Sequence, residues 1–129
     1  MTAVDTNVLV RVLTGDHPRQ ALAARTLFAS GQIWIAKTVL LETAWVLRSA
    51  YGFDEAAICA AFAKLLGLEN VVAEDAQSVA AALRLTGSGL DFADALHVTS
   101  SPPGVRLASF DKALLRRAKR AGIAGASGL

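Results

Sequence analysis

Cysteine and tyrosine each occur once in 129 residues, tryptophan twice and proline three times. The lone thiol, Cys59 in "AAICAAF", has no partner within the chain, so a disulfide framework is excluded and the residue reads as a small side chain on an Ala-rich helix. Charge is also sparse: 19% of residues are charged against 53% hydrophobic, which excludes a disordered chain and calls for a packed core. Even so, no apolar run reaches the ~18 residues of a membrane span. The most apolar stretch, "IWIAKTVLLETAWVL", is broken by Lys37 and Glu42. A secretory leader is not expected, because Asp5 falls where such a segment is uncharged. The expectation is a cytoplasmic protein with no membrane partner. Internal repeats, low-complexity arms and linkers are missing too, and at this length a single domain over 1–129 is expected.

What is present alternates between two periods. A short strand is predicted over Thr2 to Thr6, with Asp5 at its end, then a helix from His17 to Ser30 stopped by Gly31. "QIWIA" reads as a second strand. A helix follows from Thr38, its predicted N-cap, to Ala50, with Gly52 just beyond. Asp54 caps a helix through Leu66, "NVVA" is a third strand, and Asp75 caps a helix running to Thr86. "LDFADALHVTS" opens another helix, which "SPPG" at 101–104 ends because consecutive prolines forbid continuation. "VRLAS" is a fourth strand and a basic helix follows Asp111; the tail "GIAGASGL" has little strand character. Strands alternating with helices predict an α/β fold with a parallel sheet covered on both faces, in which ligands bind beyond the carboxyl ends of the strands.

Several acids fit poorly into that core. Asp5 interrupts "AVDTNVLVR", where an unpaired carboxylate would lose water at a cost. Glu42 sits in "TVLLETAWVL" among apolar neighbours, so it either pairs with Lys37, Arg48 or Arg11 or points at a cleft. Asp91 and Asp94 lie three apart at a helix start; Asp91 suits an N-cap as well as a functional role, and Asp94 is the better functional candidate. Asp111 could likewise cap the basic helix, with Ser109 a hydrogen-bonding neighbour. His97 reads as a packed or half-exposed side chain, and Trp34 and Trp45 as core or interface residues. The predicted topology brings Asp5 and Asp111 to one sheet edge. Together Asp5, Glu42, Asp94 and Asp111 suggest a carboxylate cluster, stable near neutral pH only with a cation, and oxygen ligands favour Mg²⁺ or Mn²⁺. The net charge of +2 says little by itself. Its distribution says more: Lys112, Arg116, Lys119 and Arg120 share one helical face opposite Leu114, Leu115 and Ala118, and such a face can follow a phosphate backbone or be merely solvated.

"VDTNVLVR", "LLETAWVL", "DFADALH" and "ASFDKAL", in this order over almost the whole chain, resemble the PIN-domain ribonucleases, specifically the VapC toxins of toxin–antitoxin pairs. The resemblance implies a three-layer α/β/α sandwich with a central parallel sheet of four or five strands, and Mg²⁺- or Mn²⁺-dependent endonucleolytic cleavage of RNA. It assigns Asp5, Glu42, Asp94 and Asp111 to the catalytic metal site, and places Thr6, Asn7, Asp91 and Ser109 as supporting residues around it. It also implies a homodimer and a VapB-like antitoxin. Arg11, Lys112 and Arg116 are the expected phosphate contacts. A phosphoryl-transfer enzyme using an aspartyl-phosphate would need a second acid beside the first, which "DTN" does not supply; the remaining alternative is a catalytically silent PIN-fold module that binds RNA or protein.

Overall fold

The computed structural model describes all 129 residues, and the chain divides into two compact units, Met1–Ala76 and Gln77–Leu129. In the first, β1 (Thr2–Ala3), β2 (Ile33–Ile35) and β3 (Val71–Ala73) form a parallel sheet in the order β1-β2-β3, with Thr2 opposite Ile33 and Ile33 opposite Val71. The connections are helical, as parallel pairing demands: α1 (Thr6–Thr14) and α2 (Pro18–Ala29) join β1 to β2, and α3 (Lys37–Tyr51) and α4 (Glu55–Leu66) join β2 to β3. Leu9, Ile33, Ile35, Leu40, Leu47, Ile58 and Phe62 are almost fully buried. No helix of the chain is long and apolar enough to cross a membrane.

Several sequence expectations meet the structure differently here. The first strand is two residues long rather than five, and a helix not foreseen, α1, begins at Thr6. Val8, Leu9 and Val10 carry the apolar character of a strand, two of them β-branched, but burial falls on Leu9 and Val10 of a helical stripe. Thr38 is not an N-cap. The helix starts one residue earlier, after Ala36, which has no capping side chain, and Glu74 Oε1 accepts from the Lys37 backbone N–H at 2.9 Å. Asp75 precedes α5 as expected, but with φ of 50° it lies in the left-handed region rather than the extended one usual for a cap, and it accepts from Lys37 Nζ at 2.9 Å. Trp45, expected in a core or interface, is 68% exposed on α3, whereas Trp34 is half-buried on β2.

The second unit holds α5 (Ala76–Leu85, its first residue at the boundary), a 3₁₀ turn at Thr86–Ser88, α6 (Phe92–Ser100), β4 (Leu107–Ser109), α7 (Lys112–Arg120) and β5 (Ala126–Gly128). β4 and β5 pair in parallel, Leu107 opposite Ala126 and Ser109 opposite Gly128, so the tail does form a strand despite its small residues. The five parallel strands expected at most are thus present, grouped as three and two. Along α7, Leu114 and Ala118 are buried and Leu115 half-buried, while Lys112, Arg116, Lys119 and Arg120 are exposed, as the periodicity predicted.

Where side chains rather than ladders hold the first unit, single substitutions are informative. Asn70, just before β3, donates from Nδ2 to the carbonyls of Phe28 (2.6 Å) and Gly31 (2.8 Å), tying the end of α2 to the sheet. Asn70→Ala is expected to cost about 1 kcal/mol in chemical denaturation, because the part-buried Phe28 carbonyl loses its donor while the exposed Gly31 carbonyl can turn to water. Thr43 is fully buried on α3 and its hydroxyl has no partner. Thr43→Val, which keeps the shape and removes the unsatisfied group, is expected to gain about 1 kcal/mol in the same measurement.

Candidate functional site

In the first unit the site grows out of the β1–α1 junction. Asp5 has extended geometry (φ −93°, ψ 179°) and accepts from the Val8 backbone N–H at 3.1 Å through Oδ1, which makes it the N-cap of α1. Val4 is buried but Asp5 is exposed, so the carboxylate does not interrupt a buried strand and bears no large desolvation cost. Thr6 follows in the first turn and its hydroxyl donates to Glu42 on α3, 36 residues away. Glu42 is exposed too. The core side of α3 is Leu40, Thr43, Ala44 and Leu47, which leaves Glu42 and Trp45 on another face. The bases considered as partners for Glu42 pair elsewhere: Lys37 with Asp75, Arg48 with Glu55 and Arg11 with Asp16. Asp5, Thr6, Asn7 and Glu42 line one cavity of about 300 Å³ with Val46.

Arg11, expected as a phosphate contact, is engaged within the unit. Its Nε donates to Gln20 Oε1 at 2.7 Å, and Nη1 donates to Asp16 Oδ1 at 3.2 Å and to the Tyr51 hydroxyl at 3.3 Å. The Tyr51 hydroxyl in turn donates to Asp16 Oδ2 at 2.5 Å, and Thr14 donates to Oδ1 at 2.9 Å. These hydrogen bonds, Tyr51's first and Thr14's second, with the Arg11 charge, hold the Asp16 carboxyl below its ordinary range. Arg11 therefore ties α1, α2 and α3 together at one end, with its Nη2 hydrogens left over. At the same corner Gly15 ends α1 with φ of 66°, and a β-carbon there would meet Arg25 Nη2 at 2.8 Å.

In the second unit Asp91 caps α6, accepting from the Asp94 backbone N–H at 2.8 Å, so the capping reading of Asp91 holds. Asp94 stands half-exposed in the first turn of α6. Its carboxyl is raised above the ordinary range by burial first, then by the charges of Asp91 and Asp111, against the opposing pull of His97 and Arg117. Asp111 caps α7 through the Leu114 N–H at 3.0 Å, and its own N–H donates to Ser109 Oγ at 2.9 Å, the neighbourly role foreseen for that hydroxyl. His97 is exposed. Arg117 was not singled out in the sequence, since it lies off the basic stripe; its chain runs over Gly89, where a β-carbon would stand 3.7 Å from Nε. No spacing signals that approach, because it depends on the 3₁₀ turn ending at Gly89 with φ of 93°.

The four motif acids thus fall two to each unit, each pair built at helix starts or on a neighbouring helix. Neither unit by itself gathers three His, Cys, Asp or Glu side chains closely enough to hold a metal ion. The donors are all carboxylate oxygens, the kind that hard divalent cations take. Negative charge that raises Asp94 is what a bound cation would offset.

Among curated proteins no sequence matches the chain significantly. Among solved structures, Mycobacterium tuberculosis VapC20, described as a sarcin–ricin loop cleaving toxin, aligns with 21% identity and a TM-score of 0.46 over 100% of this chain and 89% of that one. The profile of the PIN domain family matches residues 2–120, from before Asp5 to the end of α7, and the chain belongs to that family.

Proposed function

We propose that the protein, acting as one domain over 1–129, is a divalent-metal-dependent endoribonuclease and the toxin of a toxin–antitoxin pair. The observation that carries the reading is the joint placement of Asp5 and Glu42 on one cavity, with Thr6 hydrogen-bonded between their elements, inside a chain of the PIN domain family. Asp5, Glu42, Asp94 and Asp111 would hold Mg²⁺ or Mn²⁺, which when bound supplies an activated water and neutralises charge on the phosphate under attack. The chain's own residues prepare that chemistry. Capping fixes Oδ1 of Asp5 and of Asp111 against helix N–H groups and leaves each a second oxygen to offer. Thr6 fixes Glu42 and Ser109 fixes the Asp111 backbone, while Asn7 and Asp91 complete the surroundings. Lys112 and Arg116 on the exposed face of α7 would bind phosphates flanking the cut, whereas Arg11, held by Gln20, Asp16 and Tyr51, would touch the RNA through Nη2 alone. A homodimer, a VapB-like antitoxin and a cytoplasmic location belong to the same proposal.

The test is cleavage of a mixed RNA pool with Mg²⁺, with Mn²⁺ and with EDTA. Cuts that require the metal and vanish in Asp5→Asn and Asp94→Asn are expected; full activity in either variant overturns the assignment, and RNA binding without cutting under any divalent ion favours the silent binding module. Asp94 makes a second prediction. A carboxyl raised by folding contributes stability below its unfolded pKa and loses it as pH rises through the folded one. Without divalent ions, Asp94→Asn is therefore expected to melt above the wild type at pH 7, and the difference should close near pH 3, below the ordinary aspartate value of about 3.9.

A further inference from the structure

A second cavity of the first unit, of about 360 Å³, lies between α1 and α2 and starts at the same Asp5. That volume is within the range of about 300–1,000 Å³ typical of small-molecule sites. Its walls are Val8 from α1 and Ala23, Ala24 and Leu27 from α2. The two alanines keep a slot open where larger residues would close it, and no charge projects from these walls. Polar groups stand only at the ends. Near Asp5 is Asn7, an exposed amide that makes no hydrogen bond within the chain. The other end is Arg11 with Gln20, and there the hydrogen-bond network settles what is offered.

Gln20 Oε1 is taken by Arg11 Nε at 2.7 Å, and Arg11 is itself held by Asp16 and Tyr51. The amide orientation of Gln20 is fixed by that bond, so the group left for a ligand is its NH₂, beside the remaining Nη2 hydrogens of Arg11. Donors alone converge on this end. A slot with apolar walls, a donor-only end and no excess charge suits a flat, neutral heterocycle whose exposed edge offers acceptors alone, as O6 and N7 of guanine or O4 of uracil do, where adenine and cytosine carry an amino donor. It does not suit a phosphate, which Asp5 would repel at the other end and Asp16 beyond Arg11.

We infer that the α1–α2 groove is a nucleobase subsite for the nucleotide beside the scissile bond, and that it prefers the keto bases guanine and uracil over adenine and cytosine. This rests on the nuclease reading for its biological meaning, but its binding test does not. Single-stranded RNA is commonly recognised in this way, by bases splayed into a protein slot and read on their edges.

The experiment is an NMR titration of the full chain, without metal, with each of the four ribonucleoside 5′-monophosphates. Saturable shifts of the Gln20 side-chain NH₂ and of the Ala23 and Ala24 amides are expected with GMP and UMP, at about tenfold tighter binding than AMP and CMP, the size of one edge contact. Ala23→Trp fills the slot from an exposed position on α2 and should abolish these shifts while leaving the circular dichroism spectrum unchanged; Gln20→Glu, which replaces donors by acceptors, should remove the keto preference. Absence of shifts in the groove, equal binding of all four nucleotides, or unaltered binding by Ala23→Trp overturns the inference. RNA cutting without groove binding removes the subsite and keeps the nuclease; groove binding by a protein that cuts no RNA does the reverse.

Discussion

An α-helix begins with N–H groups that have no partner in the helix, and in this chain the deficit is met by aspartate at four starts: Asp5 for α1, Asp54 for α4, Asp91 for α6 and Asp111 for α7. Where a strand of two or three residues runs almost directly into a helix, the capping residue stands just past the strand's carboxyl end. That is also the edge where α/β proteins place their ligands. For Asp5 and Asp111 the requirement of the helix and, on the proposed reading, that of a metal site would fall on the same side chain. One oxygen serves the backbone; the other is available for chemistry.

This overlap decides how much could be learned from the sequence. The α/β class and parallel pairing followed from the alternation of periods, and Asp54, Asp91 and Asp111 were legible as caps because their spacing to the next apolar run is local. The basic stripe of α7 was legible for the same reason. The joining of Asp5 and Glu42 was accessible only through the inferred topology and the family resemblance, since nothing near either residue in sequence refers to the other. Helix α1 was missed because Val8, Leu9 and Val10 suit a buried strand as well as the first turn of a buried helix. The engagement of Arg11 by Asp16, Gln20 and Tyr51 was hidden because it depends on how three helices meet. The tail strand was hidden because Ala126, Ser127 and Gly128 have no strand propensity; the ladder to β4 supplies what the side chains lack.

Helix α7 shows the same doubling in its charge. An acid at its start and Arg117, Lys119 and Arg120 in its last turn both suit the helix dipole, so the charge order has a structural reason before any ligand is considered. The exposed cations of the stripe, held apart from the buried Leu114 and Ala118, are then available for a polyanion at little further cost to the fold. Asp94 differs from these doubled residues. Folding partly desolvates its carboxylate and sets it within reach of two like charges, an arrangement that opposes the stability of the isolated chain.

The shortness of the strands has a consequence for the sheet. In the first unit each strand supplies two or three rungs, and each parallel pairing closes a connection that holds two whole helices. So few rungs offset little of the chain entropy lost in closing such a connection. Strand pairing alone therefore holds little of this unit together, and the register of the sheet depends on the packing of the helical pairs that connect its strands.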